Sequence, residues 1–597
     1  MRAGLGVLAT ADSLAARLGI PVLVLFALAY YGSYFLNGLN LGGEGGTTAI
    51  LAQRLMEGQR PIADTFLGYN VLWFLPVTWI FSLVGPDYLA MKAYFFALGG
   101  LSGLLGWAVV LRVSKSGLWA LAVGAAIILI PGMLFRNYMG FLAVANQLAL
   151  VSAFALPARR VGARILLIAL SGCVVGITFL VRVELGMFML ALWLGLLVLA
   201  LLDPRRGIRA RVSESVAGGL AGILLLAAVH APFVADATAR GYAPQFFSQY
   251  NGFFSLLRWE LSKEIDAWKK AGTETVPAGP ASDPVVSPVA AKPADDLSAR
   301  AVVEVEDGRR PRPPVREVVT GRKSRDRYFA AAFYLPVLLA PVLALAGWGI
   351  LGLGAWRKDG SLWSDGQVLL ITLGCALTLF PQYFFFRPDT PHLTEFMVPF
   401  LVAGACAVAI AVRRAGCGSK WLAAGVVAAF LLQVWIHFGH AFPKESSGSI
   451  AARKHAPEVF TGQNGVRALL RPKDAGPIRA MHDLIVSESG PDDWLLCLPY
   501  SPTINFMTAR RSYLRDLYTD NTLAGPDFDA ARIHEIQKFQ PAVVVIDHRP
   551  INKTEESRFP NWAPGVYDYL HRHYTSAGEF LGNEVFLRKD PTPRIGP

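Results

Sequence analysis

Five short stretches set residues capable of chemistry against long apolar runs. The first is Leu41-Gly-Gly-Glu44-Gly-Gly, a single carboxylate flanked by glycines. Glycines let a ligand approach the backbone closely. A carboxylate there can take the proton of an attacking hydroxyl or help to hold a metal ion. The second is Asp64, ahead of Gly68-Tyr69-Asn70, which is either a second acid or the cap of the next helix. The third is Arg136-Asn-Tyr138 and the fourth Arg182-Val-Glu184. The fifth, Arg387-Pro-Asp389-Thr-Pro-His392, gathers a cation, a carboxylate and an imidazole in a turn stiffened by two prolines. Arginine and histidine suit an anionic phosphate. The plainer readings are a solvated turn at Glu44, an ion pair stapling two helices at Arg182 and Glu184, and arginines reaching from helix ends to the membrane interface. His230 lies within an apolar run and reads as a packing residue.

The surroundings of these residues are those of a membrane protein. Of 597 residues, 53% are apolar and 17% are charged, against roughly 25% charged in a soluble domain. The apolar residues come in runs of the length that crosses a bilayer. Expected spans cover 20–36, 88–111, 117–135, 142–157, 164–181, 185–202, 213–235, 329–356, 367–386, 394–412 and 420–441. The first lacks a small-residue cleavage site and reads as a retained helix. Val71–Val84 is too short to cross a core of ~30 Å at 1.5 Å per residue. Leaving it uncrossed puts 16 Lys and Arg residues on one side, among them Arg112, Arg160, Arg205 and Arg413, and only Arg136, Arg182 and Arg387 in short turns on the other. By the positive-inside rule the N-terminus is then cytoplasmic and the C-terminus outside. The net charge of +12 belongs to these helix ends, so no nucleic-acid partner is expected.

Three regions then face outward. The first is 37–87, in which Gly46–Glu57 has the pattern of a helix lying on the membrane, with Gly58 as its stop. The second is the long loop 236–327, whose middle is rich in Pro, Ala and Ser and reads as partly disordered. The third is the tail 442–597, a small α/β domain. Its expected elements are helices at Pro477–Glu488 and Phe528–Phe539, strands at Trp494–Leu498 and Ala542–Asp547, and a hairpin about Gly582-Asn583. The fold class is therefore a polytopic α-helical membrane domain, 1–441, with about 11 transmembrane helices and a small C-terminal soluble domain. Five cysteines fall in no pattern of a disulfide framework or metal site. The chain holds no HExxH or GxSxG motif and no glycine-rich phosphate loop.

The order of these features resembles the GT-C superfamily of membrane glycosyltransferases, such as the protein O-mannosyltransferases and the aminoarabinose transferase of lipid A. The similarity lies in an acid after the first helix, a helix ending in Gly58-Gln-Arg-Pro61, then an Asp and Gly68-Tyr69-Asn70. The polar turns at 182–184 and 387–392 add to it, as do Leu498-Pro-Tyr-Ser-Pro502 and Thr508-Ala-Arg-Arg511 in the tail. The resemblance implies a transferase that takes a sugar from a polyprenyl-phosphate donor on the outer face of a bacterial inner membrane. The acceptor would be a hydroxyl of a glycan, lipid or protein, and the mechanism inverting. It implies Glu44 as the base, with Asp64 beside it, and Arg182, Glu184, Arg387, Asp389, His392, Tyr69 and Arg136 around substrate and phosphate. The segment 71–84 and the surface helix would shape the groove where the prenyl chain enters. A divalent metal, Mg or Mn, would fall to Glu44, although many members have an Asp-Glu pair where this chain has Gly43-Glu44. The alternative is a glycolipid transporter or flippase that binds a lipid phosphate without reaction.

Overall fold

The computed structural model describes residues 2–35, 39, 41, 44–65, 68–130, 137–156, 160–250, 324–386, 390–414, 424–432, 434–436, 457–519, 521, 524–551 and 555–589. Among the described residues, nine helices are long and apolar enough to cross a membrane. They lie in α1 (Arg2–Phe35), α4 (Tyr88–Ser114), α6 (Asn137–Ala155), α7 (Val161–Val181), α8 (Val183–Leu201), α9 (Ile208–Ala239), α10 (Ser324–Trp356), α11 (Gly360–Leu377) and α12 (Thr390–Arg414). Between α1 and α4 come α2 (Glu44–Met56) and α3 (Leu75–Val84), and α5 (Gly117–Leu129) follows α4. Two shorter apolar helices, α5 and Ala424–Ile436, stand where two further crossings are expected. The expected spans 117–135 and 420–441 both run beyond the described residues.

Hydrogen bonds sort the helix ends into two groups. At one end Asp12 accepts from the Ser116 hydroxyl at 2.7 Å, Arg413 donates to the Val113 carbonyl at 2.9 Å, and Arg205 donates to Gln367 Oε1 at 2.7 Å. At the other, Lys92 donates to the Phe35 carbonyl at 2.9 Å, the Asn137 amide group to Phe95 at 2.9 Å and that of Asn70 to Phe179 at 3.1 Å. The C-terminal domain sits at this second end, where the Leu39 amide donates to Leu469 at 2.7 Å and Arg467 meets Asp87 at 2.6 Å. The starts of α2, α6 and α12, the α7–α8 break and Asn70 all lie at this end, so each of the five candidate motifs adjoins it.

The stretch Val71–Val84 is too short to cross. It forms one 3-10 turn at Val71–Trp73 and then the 10 residues of α3, about 15 Å of helix. Pro76 is tolerated in the first turn, where its missing N–H costs nothing, and Gly85 ends the helix.

α2 departs from expectation. It does not lie open on a membrane surface, because Gly45–Arg54 is buried throughout. One side packs on α3 and another on α14 (Pro502–Thr508) of the C-terminal domain. Gly46 explains the fit: a Cβ there would fall 1.6 Å from Thr503 Oγ1. The glycine run therefore serves close packing of two helices rather than only ligand approach. An amphipathic pattern records two unlike faces and is silent on whether protein or lipid covers the second. Gly58 ends the segment as expected, with φ +88°.

The C-terminal domain holds a four-stranded sheet ordered β3 (Leu495–Leu498), β4 (Val543–Asp547), β6 (Asn583–Arg588), β5 (Tyr574–Phe580). β3 and β4 are parallel, and the other pairs antiparallel. The helix α13 (Pro472–Glu488) precedes β3, and α15 (Phe528–Phe539) and α16 (Pro564–His573) flank β4. β4 is buried at all five positions, which is why its run of β-branched residues shows no alternation. The hairpin closes with Phe580 opposite Asn583 around Leu581 and Gly582, both at positive φ, the geometry that matches strand twist. A small strand pair, β1 (Glu458–Thr461) with β2 (Arg467–Leu470), has no counterpart in the sequence expectations.

Candidate functional site

One residue separates α7 from α8. Arg182 is extended, φ −158° and ψ 119°, and its amide still donates to Thr178 at 2.7 Å. That single extended residue reverses the chain and leaves the Arg182 side chain at the bundle end. Its Nε pairs with Glu184. The guanidinium carbon stands 5.4 Å from the centre of the Tyr69 ring, a cation–π contact worth about 0.5–2 kcal/mol depending on desolvation. Tyr69 stacks on Trp73 at 3.7 Å, and Trp73 meets Tyr138 at 5.7 Å. Asn70 fastens this strip to the break: its amide donates to Val181 at 3.1 Å and its side chain to Phe179. Three motifs spread over more than a hundred residues of sequence thus share one surface. Arg182 and Glu184 keep 13% and 18% of their side-chain surface exposed, enough for a ligand to reach them.

Beside Tyr138, Asn137 lines a narrow polar pocket with Tyr31, Ser102, Thr394 and Glu395. Its volume is about 30 Å³, room for about one water. Thr394 and Glu395 lie one turn into α12 and follow His392, which is buried. A π-helical turn, Gln382–Phe386, closes the preceding span. Such turns often mark functional positions. Arg387 and Asp389, which follow it, lie outside the described residues, as does Arg136. Glu395 is absent from the sequence candidates. Its signal is that of an acid inside an apolar run, three residues after His392, which is a functional hypothesis by default within a membrane.

The remaining candidates fare differently. Glu44 opens α2, and its side chain lies outside the described residues. Asp64 is held by Arg60 in a two-pronged pair, with Arg60 Nη2 at 2.7 Å from Oδ1 and the Arg60 amide at 2.7 Å from Oδ2. The hydrogen bond from Arg60 keeps its carboxyl below the usual range despite partial burial. Asp64 therefore acts as a clamp on its own loop and is a poor proton acceptor. His230 hydrogen-bonds the Leu226 carbonyl at 2.9 Å and packs edge-on against Phe179, the packing role expected. Among the described residues, no three His, Cys, Asp or Glu side chains group as metal ligands.

Arg54, a charged residue in the last turn of α2, is only 2% exposed. It donates to the Leu514 carbonyl at 2.7 Å, the Ser512 carbonyl at 3.0 Å and Thr65 Oγ1 at 3.1 Å. Burial draws its pKa down to about 10. With Thr47 meeting the Tyr500 hydroxyl at 3.2 Å and Arg515 donating to the Ile62 carbonyl at 3.0 Å, it locks the C-terminal domain onto the segment that carries Glu44, Asp64 and Tyr69.

No family model matches the chain, and no curated protein matches it. Two solved structures are similar in fold along the whole length. One is ArnT from Cupriavidus metallidurans in the apo state, with 15% identity, a TM-score of 0.47, and 95% of this chain and 97% of that one covered. The other is ArnT from Cupriavidus metallidurans bound to undecaprenyl phosphate, with 12% identity, a TM-score of 0.41, and 96% and 97% covered.

Proposed function

We propose that the protein is a membrane glycosyltransferase that moves a sugar from a polyprenyl-phosphate donor to an acceptor hydroxyl on the outer face of the membrane. The observation that carries this reading is the pair Arg182–Glu184 against Tyr69, part-buried at the end of the bundle that bears the C-terminal domain. Charge is costly beside a bilayer and is kept where it has a task. Arg182 would hold the donor phosphate, with Arg387 and His392 as further cations and Asp389 orienting them. Glu44, at the start of α2, would accept the proton of the acceptor hydroxyl. The hydroxyl oxygen then attacks the anomeric carbon from the face opposite the phosphate, the bond to the phosphate oxygen breaks, and its electron pair leaves on the phosphate, with inversion. Cations placed where that charge develops lower the barrier. The C-terminal domain, locked on through Arg54, would roof the site and hold the acceptor. In this reading the N-terminus is cytoplasmic and the domain 442–597 periplasmic.

The test is sugar transfer by the purified full-length chain from undecaprenyl-phosphate-linked sugars, the lipid named for the second similar structure. Glu44→Gln removes a general base and should lower transfer by about 10²–10⁴-fold with folding intact. Near-normal transfer would take Glu44 out of the chemistry. Movement of labelled lipid across a vesicle membrane without release of polyprenyl phosphate would favour the transporter reading instead.

A further inference from the structure

The last carbonyls of a helix have no partner within it. If α7 ran on through Arg182, the carbonyls of Phe179 and Val181 would accept from the amides of Val183 and Leu185. The extended backbone of Arg182 removes that option. Both carbonyls are filled from one residue of another segment instead. The Asn70 side-chain amide donates to Phe179, 109 residues away, at 3.1 Å. The Asn70 backbone amide donates to Val181 at 3.1 Å.

The acceptor of the same side chain is used as well. Asn70 Oδ1 takes the Val71 amide at 2.7 Å and so caps the 3-10 turn Val71–Trp73. That turn brings Trp73 onto Tyr69 at 3.7 Å. Tyr250 stacks on Phe179 at 6.0 Å and helps to bury the junction. Asn70 is 1% exposed, too buried to meet a substrate. Loss of its donor would strand a buried carbonyl.

We propose that Asn70 is a positioning residue for the donor phosphate, acting through Arg182. This inference rests on the function proposed above. By filling two carbonyls at the end of α7, Asn70 holds the one-residue break in which Arg182 stands. By following Tyr69 directly, it sets that ring 5.4 Å from the guanidinium carbon. The cation is thus placed by a residue that never touches the ligand.

The experiment uses the full-length protein and reads three quantities. They are sugar transfer from undecaprenyl-phosphate-linked sugars, the unfolding midpoint, and the rate at which phenylglyoxal modifies Arg182, followed by peptide mass spectrometry. Arg206, paired with Glu214 at 2.6 Å at the opposite end, is the internal reference. Asn70→Ala removes both side-chain bonds. Asn70→Asp keeps the acceptor for Val71 and loses only the donor to Phe179, so it serves where Asn70→Ala loses the fold. Each should lower kcat/KM for transfer by about ten- to a hundredfold, as a small misplacement of a binding group does. Each should also speed modification of Arg182 severalfold relative to Arg206. In an Arg182→Ala background Asn70→Ala should add little further loss, because residues that act as one unit are not additive. Fully additive losses, or wild-type reactivity of Arg182 in both variants, would overturn the proposal and leave the proposed function standing. A wild-type chain that transfers no sugar, with Arg182 made reactive by Asn70→Asp, would refute the proposed function and leave the placement of Arg182 by Asn70 standing.

Discussion

The two ends of the helical bundle both bury charge and use it differently. At the end away from the C-terminal domain, Glu214 is 2% exposed, accepts two bonds from Arg206 at 2.6 and 2.7 Å, and lies 3.1 Å from Arg164. Asp203, fully buried, takes both prongs of Arg205 at 2.8 and 2.6 Å, and Arg205 goes on to Gln367. Asp365 joins Arg413 and Arg414. These bonds tie α7 to α9, the α8–α9 turn to α11, and α11 to α12. At the opposite end, Arg182 and Glu184 are two residues apart and join no two distant helices. A cross-linking pair holds a fold together. A pair within one turn, leaning on an aromatic ring, holds little and remains available to a ligand. The same residue types therefore mark a scaffold at one end and a site at the other.

The largest effect should come from the scaffold. Glu214→Ala leaves Arg164 and Arg206 buried without their carboxylate and should cost about 3–5 kcal/mol, read as loss of unfolding midpoint in detergent, while turnover per folded molecule holds. Equal loss of turnover and stability at this end would erase the contrast between the two ends. Arg54→Met keeps apolar volume and removes the bonds to Ser512, Leu514 and Thr65. It should cost about 1–3 kcal/mol for the acceptors left bare, seen as faster hydrogen exchange in 44–65 and 512–515 together. Exchange unchanged there would mean that the C-terminal domain docks without Arg54. Asp64→Asn is the smallest, up to about 1 kcal/mol for a part-exposed pair. Because the folded carboxyl is held below its ordinary value by Arg60, the stabilisation is present above the usual carboxylate pKa and is lost as pH falls through the lowered one. Wild type should therefore lose its advantage over Asp64→Asn on acidification. An advantage constant with pH would discount the pair.

Much of the fold is legible in the sequence, because a bilayer leaves only helices or barrels for long apolar runs. The fourteen residues of Val71–Val84 show this best, since length alone excludes a crossing. The buried strand β4 and the hairpin at Leu581–Gly582 are equally plain. What is hidden is tertiary. Arg54 sits on a polar stripe, and nothing local says that carbonyls from 460 residues away will cover it. Asn137 and Lys92 are single polar residues in or at the ends of apolar runs, and their partners lie on other helices. The Arg182–Glu184 turn and Tyr69 are legible as types, while their meeting depends on Asn70 fastening one segment to another.

The most direct measurement of the contrast is the turnover of Arg182→Ala on a polyprenyl-phosphate sugar, normalised to folded protein and set beside its unfolding midpoint. Turnover should fall about a hundredfold, the size expected for removing one positioned cation from a developing negative charge, with a midpoint close to wild type. Wild-type turnover, or a loss that merely follows a collapse in stability, would contradict it.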